Sequence, residues 1–332
     1  MTGRELQDLL SQSYRRSHLT GTLENGVIAA LDMEGRLFTV VNGRVLNRVV
    51  PAAIMNRSNR NAYQNPGGDA LWPAPEGTCL GYEYGSGEWR VPPAITGAVW
   101  EVVKQAENKA VIKAEIDLVN NQQLGIPCEF ERHIEIEQHE NSLTLDVTEI
   151  IRYIGDRTLE KGKFSLAPWS LCQFDSGQGC KVIMPPPSDE DIRDLYEPSQ
   201  SQRGMSGDKY LVDTHTDFRF QLGLSENVPW IKFISNNDFH VKRHAGSLPR
   251  GQRYIDISDA NPEQFPSDQG VKLSIYCDPS EFMEIEACGG CPDTLIPGTE
   301  LSVKITTEYV VDADDSSFAD DRALLQSVAY LH

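Results

Sequence analysis

The stretch Asn65-Pro66-Gly67-Gly68-Asp69-Ala70-Leu71-Trp72-Pro73-Ala74-Pro75-Glu76-Gly77 gathers unusual chemistry into thirteen residues. Its three glycines and three prolines predict a rigid loop rather than a helix or a central strand. It nevertheless carries Trp72 and two carboxylates, Asp69 and Glu76. A connector is usually small and polar, whereas a stiff loop with an aromatic and acids reads as a surface that holds a ligand. The competing reading is a tight turn whose Trp caps the core. Just upstream, Met55 to Asn61 packs hydrogen-bonding side chains together, including Arg57, Arg60 and Asn61. Far downstream, Glu284 and Glu286 lie two residues apart in Phe282-Met-Glu-Ile-Glu-Ala287. Period two places both on one face of a strand, roughly 7 Å apart, either in a site or on a solvated outer face. Lys232 is the one charge in the apolar run Trp230 to Phe233. Pointing inward it meets a ligand or partner charge, and alternation alone leaves its face open. Cys288-Gly-Gly-Cys291 has metal or redox spacing, but without a second pair or a following helix it reads as two thiols in a loop. No EF-hand loop, HExxH or phosphate-binding glycine loop is present, so no metal or cofactor is expected.

The elements that must position these groups are mostly strands. Gly26 to Val50 alternates and is punctuated by Asn42-Gly43, a strong hairpin signal. Period-two segments follow at 98–103, 110–118, 128–137 and 143–151. The pattern resumes at 218–224, 230–234, 271–276, 282–287 and 301–311. Helical patterning is confined to 5–14, 320–330 and a turn or two at 189–196. So many short strands imply an all-β, large antiparallel sandwich with short terminal helices. The organisation expected is an N-terminal helical segment over 1–24 and one β-sandwich domain over 25–332. A long polar loop near 185–207, rich in Pro, Ser and Gln, interrupts that domain.

Bulk properties narrow the partners. The formal net charge is −19, which repels phosphate backbones and anionic lipid, so nucleic acid and membrane surfaces are excluded as partners. No apolar run reaches the roughly 18 residues of a membrane helix, and the first residues lack a secretory layout. A cytoplasmic location is therefore expected. Seven cysteines in so long a chain do not make a disulfide scaffold. Oligomeric state is not legible.

Three motifs in order resemble a known family. Gly67-Gly68-Asp69-Ala70-Leu71-Trp72-Pro73-Ala74-Pro75-Glu76 is similar to the Gly-Gly-x-x-Leu-Trp-x-Ala-Pro-Glu signature of uncharacterised relatives of the aldose 1-epimerases. Phe164 to Leu171 falls where mutarotases carry a central site strand. Phe282 to Ala287, with Leu295-Ile-Pro-Gly-Thr-Glu-Leu301, resembles their glutamate strand and its following turn. The resemblance runs over roughly 25–311 and implies the galactose mutarotase-like β-supersandwich.

It also implies a small-molecule carbohydrate partner and anomer interconversion by general acid/base catalysis. The family's basic glutamate matches Glu284 or Glu286. The sequence departs from the family at the histidines: Pro66 replaces the first, and the second falls at or beside Trp169. The acid must then come from elsewhere, with His215, His240 and His244 as the remaining candidates. Alternatively, the protein binds carbohydrate without catalysing. A sugar needs flat aromatics for its C–H faces and polar groups for its rim. Trp72, Trp169 and Trp230 are the candidate platforms, and Arg57, Arg60, Asp69, Glu76 and Lys232 the candidate polar contacts.

Overall fold

A computed structural model describes residues 1–58, 62–82 and 91–312, together with the backbone at 85–86 and 88–89. Two ten-stranded antiparallel sheets dominate it. In the first, nine strands run in the order Ser17–Gly21, Gly26–Ala30, Arg36–Val41, Asp69–Ala74, Ala167–Asp175, Phe282–Cys288, Leu273–Asp278, Phe220–Leu224, Ile192–Asp194, and the tenth, Arg44–Val45, pairs with Arg36–Val41 off this path. The middle of the second is built from Phe239–Ala245, Glu300–Val311, Ser142–Tyr153, Gly125–Gln138 and Lys109–Val119. The antiparallel sandwich expected from the alternating segments is thus the observed architecture. It has the two-residue turn at Asn42-Gly43, where both residues take positive φ and Val41 pairs with Arg44. No helix among the described residues is long and apolar enough to cross a membrane.

Several elements differ from expectation. The helix Gly3–Gln12 is capped by Thr2, and Glu5 completes a capping box. The chain after it adds Ser17–Gly21 to the first sheet, paired with Gly26–Ala30. The polar stretch 185–207 is structured. After a 3₁₀ turn at Asp189–Asp191 it supplies an edge strand to each sheet, Ile192–Asp194 and Arg203–Ser206. Short polar strands suit sheet edges, where one side of the backbone faces no partner. The C-terminal helix expected over 320–330 lies outside the described residues.

The largest difference is in the glycine- and proline-rich stretch. Asp69–Ala74 is an internal strand of the first sheet, not a loop. Two local features permit this. Pro73 faces Pro168, and Pro168 turns its carbonyl away from Pro73 to accept from the Gly289 amide at 2.8 Å, so no ladder bond is required between the two prolines. On the other side, Asp69–Ala74 meets its neighbour only at Leu37↔Asp69, which frees Pro73 from any second ladder. The turn into the strand requires glycine. Gly67 has φ +91°, and a Cβ there would stand 1.9 Å from the Arg48 carbonyl oxygen. Gly67→Ala is expected to cost at least about 2 kcal/mol from left-handed strain plus collision, read as a lower urea midpoint with an unchanged slope.

The core fills the space between the sheets. Phe174 of the first sheet stacks on Phe233 at 5.2 Å and lies 6.1 Å from Phe239 and 6.5 Å from Tyr309, all three on the second. Within this apolar layer sits a cluster of charges. Arg132 lies in the inward row Cys128, Phe130, Ile134, Ile136, and Glu149 in the row Leu145, Val147, Ile151. Arg132 donates to both Glu149 oxygens, with its shortest contact at 2.6 Å, and to Asp69 Oδ1 at 2.9 Å. Arg243 donates to Asp69 Oδ2 at 2.8 Å and to the Ser170 hydroxyl. Burial drives the Asp69 carboxyl upward, but the Arg243 and Arg132 guanidiniums outweigh it and hold it at about 2. Burial wins at Glu149, whose carboxyl is raised despite Arg132.

Candidate functional site

On the opposite face of the first sheet a cavity of about 230 Å³ opens. Its floor follows from register. Trp72 pairs with Trp169, Leu171 with Glu286, Gln173 with Glu284, Tyr276 with Glu284 and with Gln221. Period two therefore projects these side chains to one side of adjacent strands while Asp69, Ser170, Cys172 and Phe174 point to the core. Tyr196, just beyond the edge strand Ile192–Asp194, Arg219 and Phe282 complete the walls.

The two glutamates occupy the deepest part. Glu286 is fully buried and Glu284 is 6% exposed. Glu286 accepts from Trp169 Nε1 at 3.0 Å, from Gln221 Nε2 at 2.9 and 3.1 Å, and from the Ser274 hydroxyl. Glu284 accepts from Gln173 Nε2 at 2.7 Å and hydrogen-bonds Glu286. Burial, then the Glu286 charge, raises the Glu284 carboxyl well above its ordinary range. Burial also raises Glu286, against donors from Ser274, Trp169 and Gln221 that hold it down. Both carboxyls are thus pushed toward the protonated form, against the donors that Glu286 accepts.

Both tryptophans are fixed through their indole N–H groups. Trp169 is tied to Glu286, and Trp72 donates to Glu34 at 3.0 Å. Glu34 also accepts from Arg36 at 3.0 and 3.2 Å and from Tyr63 at 3.1 Å. Tyr63 packs edge-on against Trp72 at 6.0 Å, and the two indoles meet edge-to-face at 6.4 Å. These contacts give a rigid aromatic corner. At the mouth, the Tyr196 hydroxyl donates to Glu76 at 3.0 Å and the Tyr276 hydroxyl to Asp278 at 3.0 Å. The Arg219 guanidinium lies 4.0 Å over the Tyr196 ring and 5.5 Å over that of Tyr276.

Of the residues singled out in the sequence, the structure brings Trp72, Glu76, Trp169, Glu284 and Glu286 together. It separates the others. Asp69 is on the core face, neutralised by two arginines. Arg57 is exposed beside a different depression, near Arg15 and Asn56. Lys232 lies in the second sheet, paired with Lys242 and Ile183, on the face opposite core residue Phe233. Trp230 is covered by Lys242 at 4.7 Å and Lys209 at 5.5 Å rather than lining the cavity. Arg60 and Asn61 lie outside the described residues. His240 and His244 belong to the second sheet and His215 is exposed, so no histidine lines the cavity among the described residues. All seven cysteines are free and buried, Cys288 and Cys291 included.

Tyr196, Arg219, Gln221, Tyr276 and Asp278 were not anticipated. Gln221 and Tyr276 carry a readable signal, since each is a polar position in a predicted strand of otherwise apolar character. Tyr196 and Arg219 follow only from how the polar 185–207 stretch and the 214–220 segment fold back over the sheet.

The fold is that of the galactose mutarotase-like sandwiches. The Slr1438 protein of Synechocystis sp. PCC 6803 has a similar structure, with TM-score 0.57 and 12% identity over 89% of this chain and 96% of that one. A galactose mutarotase-like protein from Lactobacillus casei ATCC 334 is comparable, with TM-score 0.53 and 12% identity over 89% of this chain and 100% of that one. By sequence the chain belongs to the Family of unknown function (DUF6786), whose model matches residues 27–196. No curated protein matches it.

Proposed function

We propose that the cavity binds the hemiacetal end of an aldose and that Glu284 and Glu286 interconvert its anomers. The observation that carries this reading is the buried carboxyl pair at the base of an aromatic-walled cavity. Both partners of a general acid/base reaction are then present without a histidine. Glu286, as carboxylate, takes the proton of the anomeric hydroxyl. Glu284 gives its proton to the ring oxygen as the bond from C1 to that oxygen breaks and the C1 carbonyl forms. Rotation about C1–C2 and the reverse transfers close the ring on the other face and restore the pair. At about 230 Å³ the cavity is smaller than the roughly 300–1,000 Å³ of sites for drug-sized ligands, which favours a single sugar over a chain. Trp72 and Trp169 supply apolar faces.

A second reading, carbohydrate binding without turnover, is favoured by the number of donors already committed to Glu286. NMR exchange at the anomeric position, with a panel of aldoses, separates the two. Exchange above the buffer rate supports catalysis. Binding with buffer-rate exchange supports the second reading, and neither effect with any aldose overturns both.

A further inference from the structure

Two polar groups of the cavity lining, one a donor and one an acceptor, have no partner among the described residues. Arg219 buries its Nε–H, and nothing accepts from it. Gln221 is 1% exposed, and nothing donates to its buried Oε1. A buried donor or acceptor left unmade is costly, so each marks a point where a ligand can pair. The neighbouring polar groups are already engaged. Asp278 accepts from the Ser280 amide at 2.9 Å, the Ser280 hydroxyl at 2.5 Å and the Tyr276 hydroxyl at 3.0 Å. Glu76 accepts from Tyr196, and the Trp169 and Gln221 nitrogens are held by Glu286.

The chain sets the two groups side by side. Arg219 stands one residue before the strand Phe220–Leu224, and Gln221 lies within it. Period two turns both toward the cavity with Cα atoms about 7 Å apart, while Phe220 between them is buried in the core. Ring contacts hold the Arg219 guanidinium, which lies over Tyr196 and Tyr276. Its charge is met by Asp259 at 3.9 Å, beyond hydrogen-bond reach. Arg219 thus keeps a donor to give without demanding a charged partner.

A ligand that pairs both groups brings an acceptor to Arg219 and a donor to Gln221. A carboxylate offers acceptors only, and a protonated amine offers donors only. A secondary amide offers both, with its C=O and N–H pointing in opposite directions, which suits two side chains set apart along a strand. We propose that the cavity selects an N-acetylated amino sugar, whose acetamido carbonyl accepts from Arg219 and whose N–H donates to Gln221. This rests on the sugar-site reading above and adds a substituent to it. The acetyl methyl rests against the aromatic wall that Tyr196 and Phe282 supply.

The test is calorimetric titration of the full chain with N-acetylglucosamine, N-acetylgalactosamine and N-acetylmannosamine. Each is paired with its parent hexose, its free amine and the 2-O-acetyl ester of the parent, which keeps the carbonyl and methyl but lacks the N–H. Two hydrogen bonds to otherwise unpaired buried groups predict a Kd about tenfold or more lower for at least one N-acetyl sugar than for its parent and its amine. The ester should lose most of that gain, and Arg219→Met should bring the N-acetyl sugar and its parent to similar affinities. The wild-type ligand series stands alone, so a variant that fails to fold leaves the test intact. A parent or amine that binds as well as every N-acetyl sugar, or an ester as tight as its amide, overturns the selectivity but not the sugar reading. Absence of binding by all of them overturns both.

Discussion

Glu284→Gln is expected to slow anomer exchange by about 10²–10⁴-fold, the usual contribution of one positioned proton-transfer group, while raising thermal stability at neutral and alkaline pH. The two effects have one cause. In the native protein burial and Glu286 raise the Glu284 carboxyl well above its ordinary value of 4.5. A group with a raised folded pKa contributes stability that is fully present below its unfolded value and is lost as pH rises through the folded value. Glutamine copies the protonated carboxyl: its carbonyl still accepts from Gln173 and its amide still donates to Glu286. It cannot ionise, so it escapes that loss. The melting temperature of the variant should therefore draw ahead of the native chain as pH climbs above 4.5, with the gap closing toward acid. A variant less stable at every pH would show that Glu284 is an ordinary ionised carboxylate, and the acid role would fall with it.

Arg132→Met is expected to lower stability by about 3–5 kcal/mol, because it leaves Glu149 buried without a cation. The double change Arg132→Met with Glu149→Met should recover at least half of that loss, since Asp69 keeps Arg243 and no unpaired charge remains. Chemical denaturation of the three proteins tests both statements. A double variant no better than the single one would mean that the donors from Arg132 to the Gly35 and Asp69 carbonyls, at 3.0 and 2.7 Å, matter more than the ion pair. Asp69 has its own pH signature. Held at about 2, it contributes stability present above its ordinary 3.8 and lost as pH falls through 2.

Period two made the sheets legible, because each long strand of the second sheet buries alternate residues. It placed Glu284 and Glu286 on one face correctly. Applied one step further, the same rule sets Arg132 among Cys128, Phe130 and Ile134, which is a signature of inward charge. The glycines and prolines around Asp69 predict a loop and hide its place on an internal strand. The facing pair Pro73 and Pro168 lets a strand pass there, and pairing across 95 or so positions has no local sign. Arg57 stands close in sequence to the Gly67-Gly68 turn and Lys232 interrupts an apolar strand, and only the tertiary arrangement separates both from the cavity. Conversely, Tyr196 reaches the cavity because a polar stretch folds as an edge strand, a choice decided by its neighbour Phe220–Leu224 rather than by its own residues.

The Ala167–Asp175 strand is paired on one side with residues before it and on the other with Phe282–Cys288. Glu286 follows Trp169 by 117 residues, so synthesis at about 5–20 residues per second leaves roughly 6–23 s between them. Throughout that interval one edge of Trp-Ser-Leu-Cys-Gln-Phe lacks its strand partner and the Trp169 indole lacks its acceptor. The cavity is thus completed late in the life of the nascent chain, and the segment that will form its floor is, until then, an apolar edge open to any other strand.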